Sequence, residues 1–336
     1  DLETGHRIAK QLVIHLNHKF VWQNSSYNVT VSVGAAPIGH GLREVNEILA
    51  AGDDACTLAK EHGGNAVRVF QSQDFVFLKR KGEMQWIARL TNALEEDRFV
   101  FFHQVIESLA NPDKSKYEIL LRLRDLDGGL VSPGEFIAAA ERYKLMPSID
   151  KWVIAGACRY VQHAQQKKQD LPVICVNLSG SSLADSSLLD YILFMFDQHE
   201  VDGSAFCLEV TETSAIQNFS HASSFISRIK ETGATFALDD FGNGFSSFSY
   251  LKRLPVDYLK IDGSFVKDIE KDATDLAMVQ AVNSIGHTLG MKTIAEYVHT
   301  LRIREMLGEI GVDYAQGFAI SEPAPLPHTE ELSSIA

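Results

Sequence analysis

From Arg98 onward, short apolar runs alternate with longer stretches whose apolar positions recur every three or four residues. The first pattern predicts buried strands and the second amphipathic helices. Strands are expected at 99–106, 117–124, 172–179, 206–212, 235–240, 258–262, 292–296 and 312–317, with helices at 148–166, 219–232, 273–289 and 299–310. Eight strands with crossover helices over about 240 residues match the count and size of a (β/α)8 TIM-like barrel. The first connection departs from that scheme. NPDKSK (111–116) reads as a hairpin, so the first two strands should pair antiparallel and distort the barrel. An open doubly wound sheet would want a Gly-rich phosphate loop after its first strand, and the chain has none.

Ahead of the barrel the pattern is different. Residues 1–19 have helical periodicity, with Leu2, Ile8, Leu12 and Leu16 near one face. YNVTVSVGAAPI (27–38) alternates as a strand, and 42–70 reads as a helix, a stop at Gly63 and Gly64, and a short strand. That is too few strands for a stable sheet. Residues 1–80 are therefore expected to be a small α/β partial domain and 81–336 the barrel, with the boundary near Arg80.

Composition narrows the function. The 336 residues carry a net charge of −13, which argues against a nucleic-acid polymer as partner. An acidic protein acting on a phosphate ester would need metal ions or local Arg and Lys. Cys56, Cys158, Cys175 and Cys207 sit in apolar contexts without metal-ligand spacing and read as buried thiols of a reducing compartment. His15, His18, His103 and His163 are isolated and read as structural. No run of about 18 apolar residues and no signal peptide is present, so this portion is expected in the cytoplasm. DLETGHRIAKQL reads as the interior of a larger protein, which leaves room for an upstream sensor or an inner-membrane tether.

The candidate chemistry lies within or at the ends of the strands: Glu118, Asn177, Glu209 with Glu212, Asp239 with Asp240, Lys260 with Asp262, Glu296 and Gln316. In a barrel these converge on one face. So many buried carboxylates need a compensating cation. Carboxylates and an amide oxygen, with no cysteine, favour Mg²⁺ or Mn²⁺. Adjacent aspartates suit two ions about 3.5–4 Å apart, the usual clamp for in-line displacement at phosphorus.

Residues 98–325 resemble the EAL-domain cyclic di-GMP phosphodiesterases. EILLR (118–122), VNLS (176–179), EVTET (209–213), DDFGNGFSS (239–247), LKRLPVDYLKID (251–262), IAEYV (294–298) and QGF (316–318) occur in that family's order and spacing. The resemblance implies hydrolysis of cyclic di-GMP to linear pGpG with Mg²⁺ or Mn²⁺. By position, Glu118, Asn177, Glu209 and Asp239 would hold one ion, and Asp239 and Asp240 the second. Lys260 and Glu296 would handle the attacking water, and Gln316 would complete the site. Arg122 and Gln104 would contact the substrate, and Glu212 would steady the loop 241–247. A homodimer through FSSFSYLKRL (245–254) is a further implication.

Three motifs depart from the family pattern. Ile119 replaces the alanine of the Glu-Ala-Leu signature, FHQVI (102–106) lacks the proline common after its glutamine, and AEYVH puts Tyr297 and His299 where a glycine and a glutamate are common. His299 would weaken one metal position if it faces the ions. An inactive cyclic di-GMP receptor is the alternative these departures raise. VTVSVGAAP and AGDDACTLAKEHGGNAV resemble the C-terminal half of a GGDEF diguanylate cyclase domain, without its signature.

Overall fold

The computed structural model describes residues 2–327 except 17, 23–24, 39–44, 62–63, 71–85 and 243–249. The chain divides into two units, 1–85 and 86–336. The expected boundary near Arg80 lies outside the described residues.

The second unit is a closed eight-stranded barrel. Its strands are β1 (Phe99–Ser108), β2 (Lys116–Arg124), β3 (Val173–Leu178), β4 (Phe206–Thr211), β5 (Thr235–Phe241), β6 (Tyr258–Ile261), β7 (Lys292–Ala295) and β8 (Tyr314–Gln316). Strands β2 to β8 pair in parallel in chain order. Strand β1 closes the circle and runs antiparallel to both neighbours, its Gln104 opposite Glu118 on β2 and its Ile106 opposite Gln316 on β8. The hairpin signal at 111–116 foretold only the first of these pairings. Antiparallel β1 at the closure follows from the short link: a parallel β1–β2 pair would need a crossover of a dozen residues or more.

Helices cover the outside of the barrel. Met146–Gln166, Phe219–Lys230, Ala273–Thr288 and Leu301–Ile310 fall where periodicity placed them. Pro133–Arg142 and Ser186–Gln198 are additional. Side chains of Asp185, Asp272 and Thr300 accept from the first free N–H groups of their helices, which sets the starts. Phe136, Ile154, Ile174, Phe206 and Phe236 are fully buried between strands and helices. Leu251 and Leu254 belong to this core, so these two leucines present no surface for a dimer. Among the described residues no helix is long and apolar enough to cross a membrane.

The first unit is simpler. Helix Leu2–Leu16 is shorter than expected, because His18–Trp22 forms a strand paired antiparallel with Ser25–Val29. The single strand expected at 27–38 is thus two, the second being Val33–Ala35, parallel to Val67–Val69. Gly34 is required there: a Cβ would lie 2.0 Å from the Gly52 carbonyl of helix Val45–Glu61.

Candidate active site

Neighbouring residues on a strand point to opposite faces, so Asp239 and Asp240 should not share a site. A bulge resolves this. Leu238 pairs with Leu259 and Phe241 with Ile261, so two residues of β5 oppose the single Lys260 of β6. Asp240 takes the left-handed backbone, φ 56°, and its N–H donates to Asp239 Oδ1 at 2.9 Å. Carboxylate oxygens of Asp239, Asp240 and Glu296 consequently lie within 4.8 Å of one another.

Lys260 is the hub. Its side chain is 1 % exposed, and Nζ lies 2.7 Å from Glu209 Oε2, 2.8 Å from Glu296 Oε1, 3.2 Å from Asp239 Oδ1 and 3.9 Å from Glu118 Oε2. Four strands thereby meet at one ammonium. Glu118 is held from its other sides, by Asn177 Nδ2 at 2.6 Å and Gln316 Nε2 at 2.5 Å. Gln316 also donates to Gln104 Oε1 at 3.1 Å, and Gln104 donates to the Ser321 carbonyl at 2.9 Å. Ser321 carries no motif, and nothing in the sequence announces it.

One ammonium cannot balance this many carboxylates. Burial pushes the Glu209 carboxyl well above the usual range, with Glu118 and Asp239 adding to the shift against the opposing pull of Lys260. Burial likewise raises Glu296 to about 7, Lys260 opposing and Asp239 reinforcing. Asp240 is raised by burial, then by Asp239 and Asp262. For Lys260, burial acts downward but is outweighed by Asp239, Glu118, Glu209 and Glu296, which hold it well above the ordinary lysine value. The cluster therefore attracts either protons or further cations. Glu209 Oε1 and Gln316 Oε1 are buried acceptors without a hydrogen-bond partner. Unsatisfied buried oxygens beside surplus carboxylates fit a hard divalent cation.

The other expected residues sit around this hub. Glu212 Oε2 accepts from Gly242 N at 3.2 Å and Oε1 from the Tyr250 hydroxyl at 2.5 Å, one on each side of 243–249. Most of the loop 241–247 itself lies outside the described residues. Among the described residues Arg122 has no carboxylate at ion-pairing distance. It is half-buried, donates to the Leu121 carbonyl at 2.8 Å, and lies 5.2 Å over the Phe102 ring. Asp262 caps the turn Gly263–Val266 through Ser264 N. A cleft of about 590 Å³ opens above the hub, with Gln104, Glu118, Glu296 and Gln316 among its lining. Tyr297, His299 and Phe318 line it too and are exposed. The exposed His299 precedes helix Leu301–Ile310, and its Nδ1 lies 3.4 Å from the Tyr297 carbonyl oxygen.

A barrel with an oxygen-rich, cation-attracting mouth defines a class, and comparison with known proteins names it. Residues 87–323 match the EAL domain family, and the chain belongs to that family. The chain is 37 % identical over 322 residues to "Cyclic di-GMP phosphodiesterase PdeB" of Shewanella oneidensis, covering 95 % of this chain and 38 % of that protein. It is 30 % identical over 335 residues to "Bifunctional diguanylate cyclase/cyclic di-GMP phosphodiesterase MucR" of Pseudomonas aeruginosa, covering 98 % and 47 %. The chain thus spans less than half the length of these relatives. Among solved structures it superposes on "PaMucR Phosphodiesterase, c-di-GMP complex" with TM-score 0.68 and 34 % identity, covering 74 % of this chain and 99 % of the other. The FimX EAL domain of Pseudomonas aeruginosa bound to c-di-GMP gives TM-score 0.67 at 27 % identity, covering 71 % and 96 %.

Proposed function

We propose that the barrel hydrolyses one phosphodiester of cyclic di-GMP, giving linear pGpG, in bacterial second-messenger signalling. The observation that carries this reading is the buried Lys260 among Glu118, Glu209, Asp239 and Glu296, with Asp240 brought in by the bulge. Names of the relatives supply the substrate.

Two Mg²⁺ or Mn²⁺ ions are the proposed cofactors, Glu118, Asn177, Glu209 and Asp239 holding one and Asp239 with Asp240 the other. When bound, such ions neutralise phosphoryl charge and acidify water. Glu296, with its carboxyl at about 7, has the proton affinity suited to receive the proton of the attacking water near neutral pH. Lys260 holds Glu296, Glu209 and Asp239 in register. Gln316 positions Glu118, Gln104 and Arg122 face the substrate, and Glu212 ties the loop after β5.

The first unit is proposed to be the C-terminal part of a GGDEF-type domain. Similarity to MucR through 98 % of the chain, including this unit, supports it. A homodimer through 245–254 belongs to the same proposal; of that segment Leu251 and Leu254 are buried in the barrel, whereas Lys252 and Arg253 are exposed. A cytoplasmic site of action and an upstream sensor or membrane tether belong to the same proposal for the whole protein.

The test is incubation with cyclic di-GMP and either ion. Formation of pGpG is expected. No product with either ion overturns the enzymatic reading, and tight binding without turnover would favour the receptor alternative.

A further inference from the structure

We propose that Tyr297 is a stacking plate for a purine base of the bound cyclic dinucleotide, and so a specificity residue of this site. The inference rests on the substrate reading above. Tyr297 directly follows Glu296, lines the cleft, and is 64 % exposed. A large ring left in water beside a charged site is the chemistry that base stacking uses. Its backbone is left-handed, φ 57°, a conformation that bulky residues rarely adopt. The surroundings accommodate it all the same. A Cβ at position 263 would lie 2.5 Å from Tyr297 Cβ, so Gly263 is what admits the side chain.

The support beneath is rigid. Val298 N donates to the Gln316 carbonyl and Ala319 N to the Val298 carbonyl, both at 2.9 Å. These bonds join the segments after β7 and β8. The second segment carries Phe318, 69 % exposed and lining the same cleft. Gly317 between them has φ 153°, and a Cβ there would meet Val298 N at 2.3 Å. His299 is the ring neighbour of Tyr297 at 6.0 Å and is tilted by 58°, which leaves the tyrosine face unstacked by it. Two exposed aromatic rings thus belong to the cleft whose lining includes the carboxylates Glu118 and Glu296.

Equilibrium binding of cyclic di-GMP and of cyclic di-UMP, measured in EDTA so that nothing is turned over, tests the proposal. Wild type should prefer the purine ligand. Tyr297→Gly should bind cyclic di-GMP about tenfold more weakly and lose most of that preference, as expected for one lost stack. Tyr297→Phe should behave as wild type. Because glycine relaxes the left-handed backbone, Tyr297→Gly should melt no lower than wild type, which separates lost stacking from lost folding. In Tyr297→Trp, cyclic di-GMP should quench the added indole fluorescence. If wild type binds and Tyr297→Gly binds both ligands equally well, the stacking role is overturned while the substrate reading stands. If wild type binds neither ligand, the substrate reading fails and the stacking role with it.

Discussion

Two layers of inward-facing residues, two positions apart on every strand, behave in opposite ways. The upper layer is Gln104, Glu118, Asn177, Glu209, Asp239, Lys260, Glu296 and Gln316. The lower is Ile106, Lys116, Cys175, Cys207, Ala237, Tyr258, Ile294 and Tyr314. On β2 to β8 the lower residue precedes the upper; on antiparallel β1 it follows. Each layer buries a lysine. Lys260 sits among four carboxylates, whereas Lys116, 3 % exposed, lies 4.3 Å over the Tyr258 ring and 5.8 Å from that of Tyr314. Among the described residues Lys116 has no carboxylate at ion-pairing distance. The lower layer is a packed plug with one cation settled on aromatic faces. The upper layer is a charge imbalance, and that imbalance is what a cation-dependent site needs.

The sharpest way to break this contrast is to remove each lysine. Lys260→Met leaves four carboxylates without their cation and should cost about 3–5 kcal/mol. Lys116→Met substitutes an unbranched apolar chain in an apolar layer and should stay within about 1–2 kcal/mol of wild type. Urea denaturation in EDTA measures both, and equal losses would erase the distinction between layers.

Within the upper layer, Asp240→Asn keeps the shape and removes a charge. Turnover of cyclic di-GMP should fall by about 10²–10³-fold while its dissociation constant changes little. If hydrolysis survives, the two-ion assignment at the bulge is wrong.

Proton uptake sharpens the comparison further. Glu296 stands at about 7 in the folded protein against 4.5 ordinarily, so the folded state holds a proton that the unfolded chain releases. Stability of the metal-free protein should therefore decline as pH rises from about 4.5 through 7. A divalent cation must displace that proton, so its effect on Tm at fixed concentration should be larger at pH 8 than at pH 5.5. A Tm gain independent of pH would place the ion away from Glu296.

The smallest effect concerns His299. It is exposed at the cleft, with its Nδ1 beside the Tyr297 carbonyl and its ring beside the Tyr297 ring. His299→Glu should change Mg²⁺-dependent turnover by less than about twofold, because solvent screens an exposed charge. Rate–pH profiles of the two proteins should superimpose. A flattened acidic limb in the variant would instead place residue 299 near the ions.

Local pattern determined much of this. Strand and helix periods placed all eight barrel strands to within a few residues, since period 2 and period 3.6 are properties of the chain itself. Polar residues at the strand ends pointed to the face where Glu118, Glu209, Asp239 and Glu296 gather around Lys260. The sequence could not assign β1 its second antiparallel partner, β8, because pairing across about two hundred residues depends on how the barrel closes. Nor could it show that Leu251 and Leu254 are buried, that His18–Trp22 is a strand, or that Ser321 anchors Gln104. Above all, alternation puts Asp239 and Asp240 on opposite faces, and only the bulge against Lys260 brings both to one site. That register is set by the neighbouring strand, and no stretch of β5 contains it.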